Sequence, residues 1–154
     1  MTNTIEKRLS DLGLSIPVPS APQANYVPFT EVNGLIHISG QLPMEDAAIK
    51  YTGRCGENVD IETGADAARL CAIQLLAQAQ RAAGHLGNVR VVKITGFVNS
   101  TPDFGDQPKV MNGASDLLVA VMGDHGRHSR SAVGVAALPF GVPVEVEGIF
   151  ARLD

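Results

Sequence analysis

Arg130 stands at the mouth of a stretch built almost wholly of small residues, Ser131-Ala-Val-Gly-Val-Ala-Ala137. Alternate side chains of a strand share a face, so Ala132, Gly134 and Ala136 leave open volume beside the arginine. A planar guanidinium next to a small-walled pocket can hold a carboxylate through two parallel hydrogen bonds. In the following stretch, Glu145 and Glu147 share one face and Val144, Val146 and Gly148 the other.

These residues need elements to position them, and the spacing predicts those elements. Residues 4–12 read as a short amphipathic helix, with Ile5, Leu9 and Leu12 on one face and Gly13 as its stop. A proline-rich extended crossing follows, Ile16 to Pro22. Tyr26 to Ile38 reads as a hairpin turning at Asn33-Gly34, where both positions favour positive φ. Met44-Glu-Asp and the glycine-flanked loop around residue 53 read as surface connections. A long helix is expected from Asp60 as N-cap to about Ala83, with Gly84 beyond it. Its alanine-rich stripe suits close approach to a sheet. Then come a strand over Val89–Val98, a helix from Pro108 at its first position to about Met122, and two closing strands, roughly 130–138 and 143–152.

The fold class is therefore α+β, a sheet with two main helices packed on one face. At 154 residues the chain reads as a single domain, 1–154, with residues 1–23 as an N-terminal extension. No layer remains for the other sheet face, so a homo-oligomer is expected. The net charge of −4 and the 5% aromatic content weigh against nucleic-acid binding. The N-terminal residues carry no apolar run of signal-peptide type and nothing reaches membrane length, so a soluble cytoplasmic protein is expected. Cys71 reads as a core residue, and a Cys55–Cys71 disulfide is not expected.

Two motifs carry a family resemblance. Ser39-Gly-Gln-Leu-Pro43 resembles the S-G-Q-[IL]-P signature of the RidA/YjgF family, the reactive-intermediate imine deaminases also labelled "endoribonuclease L-PSP". Arg130-Ser-Ala-Val through Leu138-Pro139 to Glu145-Val-Glu147 resembles its C-terminal signature. The resemblance covers about residues 24–152 and points to a divergent subfamily. It implies a chorismate-mutase-like fold, a homotrimer with sites between subunits, and no metal or organic cofactor. It implies hydrolysis of 2-imino or enamine acids to 2-oxoacids and ammonia. By the same resemblance Arg130 and Glu145 are the catalytic pair. Tyr26, Ser39, Gly40, Asn112 and the backbone of Ala132 would bind a small carboxylate substrate. Ala132 stands where many members carry cysteine, which alters pocket shape and polarity.

The chemistry suits those residues. Water attacking an imine carbon needs a fixed carboxylate, a placed water and a protonated leaving nitrogen. Arg130 would orient the substrate and Glu145 would deprotonate the water. Plainer readings stand beside these. Arg130 could be a strand-end surface residue, Tyr26 a packing residue, Asn112 an ordinary helix residue, Ser39 a turn former and Glu147 a solvated side chain. Asp124-His125-x-x-His128 has metal-ligand spacing, yet it falls in a glycine-broken loop without a third ligand, and reads as solvated. The sequence leaves two other functions open, a non-catalytic sensor of carboxylate metabolites and, less favoured, an endoribonuclease. One chain is expected to bring Arg130 and Glu145 to one cleft, with a neighbour adding Tyr26 or Asn112.

Overall fold

A computed structural model describes residues 4–19 and 24–154. Gln23 and the end of the proline-rich crossing lie outside the described residues. Helix α1 spans Ile5–Asp11, capped by the Thr4 hydroxyl, which accepts from Lys7 N at 3.2 Å. Strands β1 (Phe29–Val32) and β2 (Leu35–Gln41) form the expected hairpin. Asn33 and Gly34 take φ of 51° and 77°, the left-handed pair that a tight hairpin turn requires.

Residues 44–49, expected as a surface connection, form a second small hairpin, β3 (Met44–Glu45) and β4 (Ala48–Ile49). Asp46 and Ala47 turn it with positive φ, a conformation an alanine does not advertise in sequence. Helix α2 (Ile61–Ala83) begins where expected, with the Asp60 carboxylate accepting from Thr63 N at 2.7 Å, and Gly84 closes it at φ 83°. After β5 (Val89–Asn99) comes α3 (Gln107–Met122), which starts one residue early and leaves Pro108 second in the helix. The chain ends with β6 (Ser129–Val135) and β7 (Val144–Arg152).

The main sheet runs β1-β2-β7-β5-β6, with β5 and β6 parallel and the other neighbours antiparallel. The two closing strands are therefore not partners; β5 lies between them. Helices α2 and α3 cover one face, and Val144, Val146, Ile94, Val98 and Phe150 are buried beneath them. The alanine stripe acts as expected. Gly148 faces Leu75 of α2, and α2 meets α3 so closely that a Cβ on Gly113 would lie 2.0 Å from the Ala65 carbonyl oxygen. The opposite sheet face carries Leu35, Phe97, Val133 and Ile149 among Thr95, Lys93 and Glu147, and no layer of the described chain covers it. Helix α1 packs at the far end of α3, where Arg8 donates to the Val121 carbonyl at 3.3 Å and Glu6 meets His85.

Candidate functional site

Arg130 is the second residue of edge strand β6 and pairs with fully buried Ile94, so its side chain rises on the helix-covered face. Nη1 donates to Asn112 Oδ1 at 3.0 Å and to Ser115 Oγ at 3.1 Å, and Nη2 donates to the Pro108 carbonyl at 3.3 Å. Positions 108, 112 and 115 are spaced i, i+4, i+7 and so form one stripe of α3. A guanidinium has five N–H donors, and these contacts take three. The unspent donors are Nε–H and one on Nη2, the two nitrogens of the side-on edge that meets a carboxylate in a fork. All three acceptors are uncharged, and among the described residues no carboxylate pairs with Arg130. Among the described residues the group is a fixed cation without a counter-ion.

Glu145 sits on the opposite face. Its strand neighbour is Phe97, which in turn pairs with Val133, whereas Arg130 shares a row with Ile94 and Gly148 under the helices. The β2–β7 register slips between Ile38 and Gln41, and this irregularity brings Gly40 beside Glu145. A Cβ on Gly40 would fall 1.9 Å from Glu145 Oε1 and 2.7 Å from Cδ, so the absent side chain is what gives the carboxylate its place. Half-burial raises the Glu145 pKa above the ordinary 4.5, and the charge of Glu147 raises it further. Ser39 ties this corner together. Its N–H and hydroxyl both donate to the Pro28 carbonyl, at 3.0 and 3.1 Å, and that anchors the segment following exposed Tyr26.

The expected residues thus fall into two groups. Arg130 and Asn112 touch, with Ala132 on the same strand face below them. Ser39, Gly40 and Glu145 gather on the other side of the sheet, and Tyr26 lies two residues before the Pro28 carbonyl that Ser39 holds. The expectation that one chain brings Arg130 and Glu145 to one cleft, with Asn112 arriving from a neighbour, is corrected. Arg130 and Asn112 belong together in one chain, and the intervening β5 turns Glu145 to the opposite face.

Three further features escaped the sequence reading. Ser115 is a ligand of Arg130, at i+3 from Asn112 on the same helix stripe. His128, expected as a solvated loop residue, is half-buried with both ring nitrogens engaged, Nε2 to Ser115 Oγ at 2.9 Å and Nδ1 to the Gly126 carbonyl at 2.6 Å. The loop around Cys55, expected at the surface, is stitched to the end of β5. Cys55 is fully buried, and burial pushes its thiol pKa up to about 11. Arg54 donates to Asn99 Oδ1 at 3.3 Å and to the Ala136 carbonyl at 2.9 Å, while the buried Asn99 amide donates to the carbonyls of Gly53 and Val142. These bonds fasten the loop beside a recess of about 380 Å³, lined in part by Ser100, Phe104, Gln107 and Gly134. Cys55 and Cys71 are both free thiols.

An antiparallel hairpin, a parallel β5–β6 edge and two helices on one face define a chorismate mutase-like α+β protein, here with an arginine on the edge strand held by uncharged acceptors. The chain belongs to the YjgF/chorismate mutase-like endoribonuclease family, whose model matches residues 6–152 and so takes in most of α1 and the extended crossing. Protein TCP17 of Trypanosoma cruzi is 46% identical over 94% of this chain and 92% of its own. A crystal structure of a protein of unknown function from Agrobacterium tumefaciens is also 46% identical, with a TM-score of 0.88 over 97% of this chain and 92% of that one. RidA from a Psychrobacter species is 27% identical, covering 88% of this chain and 94% of that one with a TM-score of 0.60.

Proposed function

We propose that the protein hydrolyses small 2-imino acids, and their enamine tautomers, to 2-oxoacids and ammonia. The observation that carries this reading is Arg130, held by three uncharged acceptors with Nε–H and one Nη2–H unspent and, among the described residues, no carboxylate paired with it. Such a group is preorganised for a carboxylate. With the carboxylate on Arg130, the adjacent imine carbon is fixed relative to an attacking water. The water oxygen bonds to that carbon while one of its protons passes through Glu145 to the nitrogen. The remaining hydroxyl proton then moves, again through Glu145, to the nitrogen as the C–N bond breaks, so that ammonia leaves and the carbonyl forms. The raised pKa of Glu145 makes it a better proton acceptor than an ordinary carboxylate. Arg130, Asn112, Glu145, Gly40, Ser39, Tyr26 and the Ala132 backbone line the site in this reading.

Because one chain displays Arg130 and Glu145 on opposite faces, a complete site needs a second copy. The β6 edge and the uncovered sheet face would pack against neighbours, and a homotrimer closes that arrangement. The family description names endoribonuclease activity. The net charge of −4 supports the small-carboxylate reading over RNA. Among the described residues no helix is long and apolar enough to cross a membrane, and a cytoplasmic location is part of this proposal.

The test follows 2-oxoacid release from a 2-imino acid generated in the cuvette by an amino-acid oxidase. Added protein should speed release catalytically, and RNA should survive incubation. A wild type that accelerates no imine across several side chains sinks the proposal. Thermal stabilisation by a 2-oxoacid without turnover would instead make the protein a carboxylate sensor.

A further inference from the structure

The hydrogen bonds behind Arg130 run in one direction, and their polarity can be assigned atom by atom. The Gly126 carbonyl can only accept, so the His128 nitrogen 2.6 Å away, Nδ1, carries a proton. Arg130 Nη1 can only donate, so Ser115 Oγ accepts from it at 3.1 Å. The Ser115 proton is then free to point at His128 Nε2, 2.9 Å away, if that nitrogen is bare. The chain reads Arg130 Nη1–H to Ser115 Oγ–H to His128 Nε2, with His128 Nδ1–H closing on backbone. We infer that Ser115 and His128 are positioning residues for the carboxylate anchor, with neutral Nδ1-protonated His128 orienting the Ser115 hydroxyl so that its lone pair holds Arg130. This rests on reading Arg130 as a carboxylate anchor, not on the chemistry that follows binding.

A serine within a helix ordinarily bonds back to its own helix or points to solvent. Ser115 instead bridges two side chains from the segment beyond the helix. His128 lies two residues before Arg130, so the turn that starts β6 also supplies the support for the arginine. Restraint from Asn112 alone would leave one Nη1 hydrogen unpaired and the guanidinium free to swing about its Nη2 contact. A rigid fork loses less freedom on binding than a loose one.

Two measurements test this. Imidazole ¹⁵N NMR of the intact wild-type protein at pH 8 should show His128 as the Nδ1–H tautomer; the Nε2–H tautomer would overturn the assignment. Pyruvate binding should then be measured by calorimetry on the wild type, Ser115→Ala, His128→Ala, His128→Gln and the Ser115→Ala/His128→Ala double variant. Each single alanine variant should weaken binding about tenfold, the order expected for one lost hydrogen bond to a charged group. The double variant should bind no more weakly than Ser115→Ala alone, since His128 acts through it. The Gln variant, whose side-chain oxygen can accept from Ser115, should recover part of the loss. Additive losses, or unchanged binding in Ser115→Ala, would refute the relay. If the wild type binds pyruvate but turns over no imine, the relay stands and the deaminase reading fails. If it does not bind pyruvate, the Arg130 anchor itself is wrong and the relay falls with it.

Discussion

Arg130→Ala is expected to lower kcat/KM for 2-imino acids by roughly 10²–10⁴, the equivalent of two lost charge-assisted hydrogen bonds. The carboxylate is the one full charge on the substrate, and without its fork the imine carbon is no longer held against the water. Arg130→Lys should be almost as poor, for a countable reason. An ammonium has three donors, and the acceptors on Asn112, Ser115 and Pro108 would take them all. No pair remains for the substrate. Steady-state kinetics on both variants, with thermal melting as a control for folding, makes the check. A lysine variant with near wild-type KM would contradict the fork.

Glu145→Gln should show the opposite balance, with kcat down by about 10²–10⁴ as the general base is lost and KM little changed. It should also make the folded protein more stable at neutral pH. The sign follows from the direction of the shift. The fold raises the Glu145 pKa through half-burial and then the neighbouring Glu147, so ionising it costs more in the folded chain than in the unfolded one. That cost is absent below the ordinary value of 4.5, grows as pH rises through it, and is complete above the raised folded value. Melting curves of variant and wild type should therefore separate at pH 7, with the variant higher, and converge as pH falls below the ordinary carboxylate value. Equal melting temperatures at pH 7 would mean that Glu145 is solvated. For catalysis the same shift moves the acid limb of the rate profile upward, and the limb should vanish in the glutamine variant.

Features governed by neighbours in sequence were legible before the structure. Asn33-Gly34 turns as its backbone preferences dictate, and Asp60 and Gly84 bracket α2 because capping is decided within one helical turn. The SGQLP and Arg130–Glu147 motifs led to the family. The sheet order was hidden. Strands β6 and β7 follow one another in sequence, and nothing in either says that β5 will lie between them; that depends on the parallel β5–β6 pairing across a whole helix. The separation of Arg130 from Glu145 was hidden with it, since parity within β7 says which of its residues share a face, and only the pairings across β5 relate that face to Arg130. Nothing in the sequence marks Ser115, because its partners His128 and Arg130 come from the segment beyond the helix. Cys55 looks exposed because its flanking glycines suggest a loop, while its thiol in fact lies against Gly64 in the first turn of α2.

The place of β5 has a consequence for genetics. If one chain shows Arg130 and Glu145 on opposite faces, a chain lacking either one still carries the other intact. Two inactive alleles, one damaged at Arg130 and the other at Glu145, would then complement when their products assemble together, because some junctions pair a sound arginine with a sound glutamate. Alleles damaged on the same face would not.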